Sequence, residues 1–367
     1  MDYSTPLWTR LCFCNVTCLA KTPHPPLYIN FPSFDVECTL FPRIDVNGPV
    51  HRPEIIYVSL EQNIMAPQSS TAFITGNAFT AIPHPKLIID YIPGASSGLG
   101  RALTERLLSN GYTVFVADLD LTGVKDLAST YNTPSTTRVH FSGMDVTSWA
   151  SQLAAFKQAL QALGGRIDFV APVAGIGETK VLPFPEETAI SSPDDFAEPD
   201  LKTLHVDLTG VVYTIALAIQ QFRRQERDAQ GRRGKLGLVA SVCGLYQSPS
   251  LPLYTAAKHG VVGLARSYGR FLPAEGITVN AVCPGFMRTN IAPKLLWDTV
   301  ESMGLLVSLS IVVDAFEDMI KGDGSAELYV CGPEGWEKRT DDNSPEWLTK
   351  TMGVLDRGVA KVHYGKE

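Results

Sequence analysis

Ser241, Tyr254 and Lys258 are residue types that can together move a proton while an oxygen is held in place, and their spacing makes that chemistry available. Tyr254 precedes Lys258 by four positions, which on a helix puts both side chains on one face and brings the ammonium near the phenol. A neighbouring positive charge favours phenolate, so the pair can act as a general acid or base near neutral pH, where a free tyrosine stays protonated. Ser241 stands thirteen residues before Tyr254, just after the apolar run 236–240. A hydroxyl delivered there can hydrogen-bond the oxygen of a carbonyl or carbinol and hold it against the tyrosine. In a chain with 12 tyrosines, about one Tyr-x3-Lys is expected by chance. The weight therefore rests on context: the strand-like run before Ser241, the small Ala256 and Ala257 inside the motif, and the apolar-periodic helix that follows.

Such a trio needs a hydride carrier beside it, and the stretch Gly94-Ala95-Ser96-Ser97-Gly98-Leu99-Gly100 offers a place for one. Glycines between a strand and a helix let backbone approach a pyrophosphate, whose charge the helix N-terminus near Arg101 would meet. Asp118 closes the second strand, eighteen positions after Gly100, where its carboxylate would accept from the ribose hydroxyls of adenosine. The same carboxylate would repel a 2′-phosphate, and no Lys or Arg lies inside the turn, so NAD is expected and NADP less so. The other reading of Asp118 is a solvated turn residue.

The elements that must hold these residues alternate. Strands are expected at 87–92, 113–117, 138–141, 167–173, 235–240, 277–282 and 326–331, with helices between them, among them 101–109, 149–163, 200–224 and 254–271. Short apolar runs alternating with amphipathic helices predict an α/β fold, a single doubly wound Rossmann-type domain on a seven-stranded parallel sheet, ending in an irregular tail after Gly332.

In this order the residues resemble the short-chain dehydrogenase/reductases over roughly 65–339, and within them the NAD-dependent 15-hydroxyprostaglandin dehydrogenase-like branch, which includes enzymes that oxidise alcohols in fungal secondary metabolism. The resemblance implies an oxidoreductase interconverting a secondary alcohol and a ketone. It places Gly94, Ser96, Ser97, Gly98, Leu99, Gly100 and Asp118 on the cofactor. Asp145-Val146 resembles the family's adenine-contacting pair, and Pro284-Gly285 with Met287 and Thr289 its nicotinamide-side loop; Tyr254 and Lys258 would also touch cofactor. It further implies a homodimer or homotetramer formed through the helices at 200–224 and 254–271.

Three departures accompany the resemblance. Where the family has Asn-Asn-Ala-Gly, this chain has Pro172-Val173-Ala174-Gly175, keeping the small pair and losing both amides. Asp207 stands where the family's Asn helps hold a proton-relay water, which makes Asp207 a fourth candidate catalytic residue. Pro93 replaces the family's Thr before the first glycine, and Asp90 lies in the strand before it.

Upstream, 65–76 reads like a second copy of the family's opening. Removing 77–93 and fusing Gly76 to Gly94 gives MAPQSSTAFITGASSGLGRAL, with Thr75 and the glycines in register. Gly-Asn can be encoded with a GTAA donor and Pro-Gly with a CCAG acceptor. The expectation is that these seventeen residues are a translated intron, of a length suited to a fungal gene, and that Met65 is the true start. The alternative keeps two strand-like segments, 71–75 and 87–92, of which only one can be the central strand. The chain then divides into an irregular extension over 1–64, a segment 65–93 holding the start and the insert, the Rossmann-type domain over 86–339 and a tail over 340–367.

Composition limits the rest. Hydrophobic residues at 45% and charged residues at 19% describe an ordinary soluble protein, and a net charge of −7 without a basic run argues against nucleic acid as the main partner. No membrane span is expected, because the greasy stretch 206–219 contains Asp207 and reads as a buried helix. Cys243, Cys283 and Cys331 look like small core residues of a reducing compartment, which places the protein in the cytoplasm. Cys12, Cys14, Cys18 and Cys38 give no convincing zinc spacing, so no metal is expected. Phe286, Leu295, Leu296, Trp297, Met303, Leu305 and Leu306 fall where the family folds a lid, so either the substrate is lipophilic or these residues are simple core packing. A non-catalytic dinucleotide sensor and a mis-spliced inactive form are the competing functional readings.

Overall fold

The computed structural model describes residues 89–182, 196–289 and 294–339, together with the segments 27–30, 37–40 and 350–354 and residue 346. The chain divides into two units, Met1–Lys86 and Leu87–Glu367. In the first, Leu27–Asn30 pairs antiparallel with Glu37–Leu40, Leu27 opposite Leu40. The sequence gives no strand period over 1–64, because four residues are too few for alternation to register. The expected start at Met65, residues 77–88 of the insert and the upstream strand at 71–75 lie outside the described residues.

The second unit is built on an eight-stranded sheet. Its strands are β1 (Ile89–Pro93), β2 (Thr113–Asp118), β3 (Val139–Gly143), β4 (Phe169–Val170), β5 (Gly234–Val239), β6 (Ile277–Pro284), β7 (Leu328–Gly332) and β8 (Gly335–Arg339). Their spatial order is β8-β7-β6-β5-β4-β1-β2-β3. The seven expected strands are parallel, and the order reverses direction between β1 and β4, where a doubly wound sheet opens its binding crevice. The eighth strand was not foreseen. The chain turns back at 333–334, and β8 pairs antiparallel with β7, Trp336 opposite Cys331, where an irregular tail was expected.

The helices are α1 (Gly98–Ser109), α2 (Leu121–Tyr131), α3 (Trp149–Ala162), α4 (Lys202–Arg224), α5 (Pro252–Phe271), α6 (Lys294–Ser302) and α7 (Leu309–Lys321). Side chains from the two sides of the strands enter two separate cores. Tyr91, Phe115 and Leu238 pack with Phe156 of α3, Ile215 and Phe222 of α4 and Val261 of α5. Ile92, Val114 and Val116 pack with Leu103 and Leu107 of α1, Leu127 of α2 and Phe316 of α7. Each fully buried Leu, Ile or Phe contributes roughly 1.5–3 kcal/mol relative to exposure. The sheet is thus held from both faces.

Two details bear on the site. β4 is much shorter than the expected 167–173, because Pro172 has no N–H and the ladder to β1 ends at Tyr91–Val170, apart from Ala171 N donating to Tyr91 O (3.0 Å). Pro93 closes β1. Alternation along that strand directs Ile92 and Gly94 toward β2, where Gly94 N donates to Ala117 O (2.8 Å), and directs position 93 toward β4, beyond the end of the β4 ladder. Pro93 has no N–H, so position 93 donates nothing toward β4, and the β1–β4 ladder goes no further.

α4 is long and apolar enough to cross a membrane by length and hydropathy alone, but 56% of its most apolar window is buried inside the protein. It packs as a core helix, and Asp207 lies within it fully buried. At the far end of the sheet, buried Lys235 of β5 donates to Ile320 O (2.9 Å) and Gly322 O, so a sheet residue caps the C-terminus of α7. Burial pushes its ammonium down to about 8.

Candidate active site

The crevice at the C-terminal ends of the strands is a cleft of about 920 Å³. One wall is the glycine turn. Gly94 has φ +85°, and a Cβ there would lie 2.4 Å from Ala174 N, so the turn after β1 and the loop after β4 are packed backbone to backbone. A Cβ on Gly100 would lie 2.0 Å from the Gly94 carbonyl oxygen. Ser97 precedes α1 without a side-chain cap, and the first turn of the helix holds no acidic residue, leaving its N–H groups available for an anion. We expect Gly100→Ala to weaken dinucleotide binding more than about tenfold in a nicotinamide fluorescence titration, since the new methyl and the Gly94 carbonyl cannot occupy the same space.

Asp118 ends β2 with both carboxylate oxygens engaged. Oδ2 accepts from Ser96 N (2.9 Å) in the glycine turn and Oδ1 from Asp120 N (3.0 Å). Arg101, the nearest cation in sequence to the turn, is drawn aside by Glu105 (2.9 Å) and Asp126 (2.7 Å). Asp145 accepts from the backbone N–H and hydroxyl of Thr147 (2.9 and 2.7 Å), which shapes the Asp145-Val146 turn on the cleft wall.

The opposite wall carries the trio. β5 ends at Val239, Ala240 N still bonds Val282 O (2.9 Å), and Ser241 opens a short 3₁₀ turn in which its Oγ accepts from Cys243 N (3.1 Å). Tyr254 is the third residue of α5, partly exposed to the cleft, and Lys258 follows one turn later with its Nζ 5.3 Å from the centre of the tyrosine ring. Lys258 is 4% exposed; Nζ donates to Val239 O (3.2 Å) and lies 3.0 Å from Asp207 Oδ2. The latter is a charge contact off the hydrogen-bond direction, since Oδ2 makes no hydrogen bond among the described residues. Burial alone would lower the lysine pKa, but the charges of Asp207 and then Tyr254 outweigh it and raise it. Burial pushes the thiol of Cys283, on β6 beside the trio, up to about 12, so it stays protonated.

Asp207 occupies the middle of a wide turn, His205–Thr209, where Gly210 N bonds five residues back to His205 O. Its Oδ1 accepts from Ile176 N (2.8 Å), tying the Ala174-Gly175 loop to α4. Every candidate residue lines the one cleft except Asp207, which lies behind it and reaches it through Lys258. Ser96, Ser97, Gly98 and Leu99 line it at the turn; Pro284, Gly285, Met287 and Thr289 line it after β6.

Sequence reasoning missed part of the wall: Val173 and Ile176 beside the small pair, His205 two residues before Asp207, and the stretch 198–202. Only His205 had a signal, its position in the helix of Asp207. Of the expected lid residues, Trp297 is buried and donates to Thr289 O (3.0 Å), whereas Phe286, Met303 and Leu305 are substantially exposed. The side chains of Leu295 and Leu296 lie outside the described residues.

This fold and cleft define a dinucleotide-dependent oxidoreductase of the Rossmann class. The family model for short chain dehydrogenases matches residues 89–298, and the chain belongs to that family, whose members bind NAD(H) or NADP(H). It is similar to short-chain dehydrogenase/reductase prx7 of Penicillium rubens, 36% identical over 203 residues, 55% of this chain and 69% of that one. It is also similar to 5′-hydroxyaverantin dehydrogenase of Dothistroma septosporum, 29% identical over 272 residues, 70% of this chain and 88% of that one. Among solved structures, 3-hydroxyacyl-CoA dehydrogenase type-2 from Mycobacterium avium aligns with a TM-score of 0.57 at 29% identity, covering 66% of this chain and 93% of that one.

Proposed function

We propose that the protein is an NAD-dependent enzyme interconverting a secondary alcohol and a ketone on a lipophilic small molecule of secondary metabolism. The observation that carries this reading is the single cleft with Ser241, Tyr254 and Lys258 on one wall and an uncapped helix N-terminus behind a glycine turn on the other. When bound, a nicotinamide supplies the hydride acceptor or donor. Gly94, Gly98 and Gly100 would leave room for a pyrophosphate, Asp118 would hold the ribose, and Pro284, Gly285 and Thr289 would border the nicotinamide end. In the oxidative direction Tyr254 takes the hydroxyl proton and Ser241 holds the substrate oxygen, while Lys258, beside the tyrosine ring, would hold the nicotinamide ribose. Asp207 keeps Lys258 charged. The preference for NAD rests on Asp118 at the ribose position and on Arg101 being held by its own carboxylates. The lipophilic substrate rests on Phe286, Met303 and Leu305 standing exposed after β6 and on the kinship with a dehydrogenase of 5′-hydroxyaverantin. A second copy of the chain, met through α4 and α5, is the proposed partner, and the cytoplasm the proposed location.

The test is to offer lipophilic secondary alcohols with NAD or NADP and follow nicotinamide absorbance, with the corresponding ketones and reduced cofactors as the reverse arm. Turnover with NAD is expected; inertness toward every alcohol and ketone would overturn the reading. Asp118→Ser should raise the NADP/NAD ratio of kcat/KM about tenfold or more, because it removes a repulsive charge. An unchanged ratio would place the discrimination elsewhere.

A further inference from the structure

Helix α5, which carries both Tyr254 and Lys258, begins without help from its own sequence. Leu251 stands at the N-cap with an apolar side chain and makes no side-chain cap bond. Pro252 follows at the first helical position and has no N–H, so the first backbone donors in need of acceptors are those of Leu253 and Tyr254. Both are met by a residue 75 and 76 positions earlier in the sequence. Glu178 Oε1 accepts from Leu253 N (3.0 Å) and Oε2 from Tyr254 N (2.7 Å), one carboxylate bonding two successive donors at the positive end of the helix.

Glu178 belongs to the loop that follows β4, and the residues on either side of it are tied down as well. Ile176 N donates to Asp207, Thr179 N to Thr203 Oγ1 (3.1 Å), and Thr203 Oγ1 donates to Gly177 O (2.8 Å). The loop thus bridges α4 and α5, with Ala174 packed on the glycine turn at its start and Glu178 on the tyrosine's own backbone further along. Glu178 is half-buried and does not line the cleft.

We propose that Glu178 is a positioning residue for Tyr254: it replaces the missing local cap of α5 and fixes the first turn, so that the phenol is presented at a set reach from Ser241 and the nicotinamide end of the cleft. The proposal rests on the alcohol–ketone reading given above. Glu178→Ala is expected to lower kcat about tenfold with the NAD dissociation constant changed less than about twofold. Amide hydrogen exchange of Leu253 and Tyr254 should accelerate in the same variant. Adding Leu251→Asp to Glu178→Ala supplies a local cap and should restore both the protection and most of kcat. Glu178→Gln, which keeps the shape of the side chain and removes its charge, should fall between wild type and Glu178→Ala in both readouts, and it serves as the test if the alanine variant does not fold. Wild-type kcat in Glu178→Ala, or in Glu178→Gln should that variant stand alone, would overturn the proposal. So would a double variant that regains amide protection without regaining rate, because Glu178 would then act by some other means. If the wild-type protein turns over no alcohol or ketone, the reaction assignment fails by itself, and the exchange comparison still decides whether Glu178 caps the helix.

Discussion

Tyr254→Phe is expected to lower kcat by roughly 10²–10⁴-fold while the dissociation constant for NAD stays within about twofold of wild type. The substitution removes one oxygen from the cleft and leaves the ring against Lys258 Nζ, 5.3 Å from its centre, so the helix and the cofactor wall are undisturbed. What is lost is the proton acceptor alone. Single-turnover kinetics with NAD prebound, beside a fluorescence titration of the cofactor, separates the two quantities. A variant that turns over at near-normal rate would sink the assignment of Tyr254 as acid and base.

The second large effect is expected at Lys258. Asp207 is fully buried, and its Oδ2 has Lys258 Nζ as the cation 3.0 Å away. Lys258→Met would strand that carboxylate, at a cost of about 3–5 kcal/mol, as when one partner of a buried pair is removed. A fall in Tm on the order of 10 °C follows for a unit of this size. Turnover should fall with it, since the ammonium 5.3 Å from the Tyr254 ring is removed. Adding Asp207→Asn to Lys258→Met should recover much of the Tm and none of the rate, and a double variant as unstable as the single would show that the charge pair is not the cause. The pH dependence has a definite sign. The lysine pKa is raised in the folded state, so its contribution is fully present below the usual lysine range and is lost as pH rises through the folded value. The Tm gap between wild type and Lys258→Met should be constant from neutral to mildly alkaline pH and narrow only beyond that.

The legible part of this molecule was local in sequence. Gly94 to Gly100, the Asp118 that follows, and the Ser241, Tyr254 and Lys258 spacing each compress a three-dimensional demand into a short stretch, and the cleft brings them together. The alternation of apolar runs likewise gave the parallel strands, because a buried parallel strand must be apolar on both faces. One miss was local, since Pro172, which cannot donate to a ladder, stands inside the run 167–173 and ends β4 early. Most of the rest depended on partners distant along the chain. Glu178 is an unremarked loop acid until α5 is seen to begin with Leu251 and Pro252. Asp207 was singled out as a departure from a family pattern, but its contact with Lys258 in place of an amide's role required the wide turn in α4 to be seen. The loss of both amides at Pro172-Val173 is tolerable because the following loop is anchored through backbone groups of Ile176, Gly177 and Thr179.

Asp118 also has a part in the architecture of the cleft. Its carboxylate joins Ser96 in the turn after β1 to Asp120 at the start of α2, and α2 approaches so closely that a Cβ on Gly123 would lie 2.5 Å from the Ser96 carbonyl oxygen. Strand end, glycine turn and helix start are one piece before any dinucleotide arrives. The entropy of ordering this region is therefore lost when the chain folds, not when the adenosine half docks, and binding there should carry little conformational penalty. Carboxylate oxygens accept more than one donor each, so the hydroxyls of a ribose docked as proposed would join the two backbone N–H groups without displacing them.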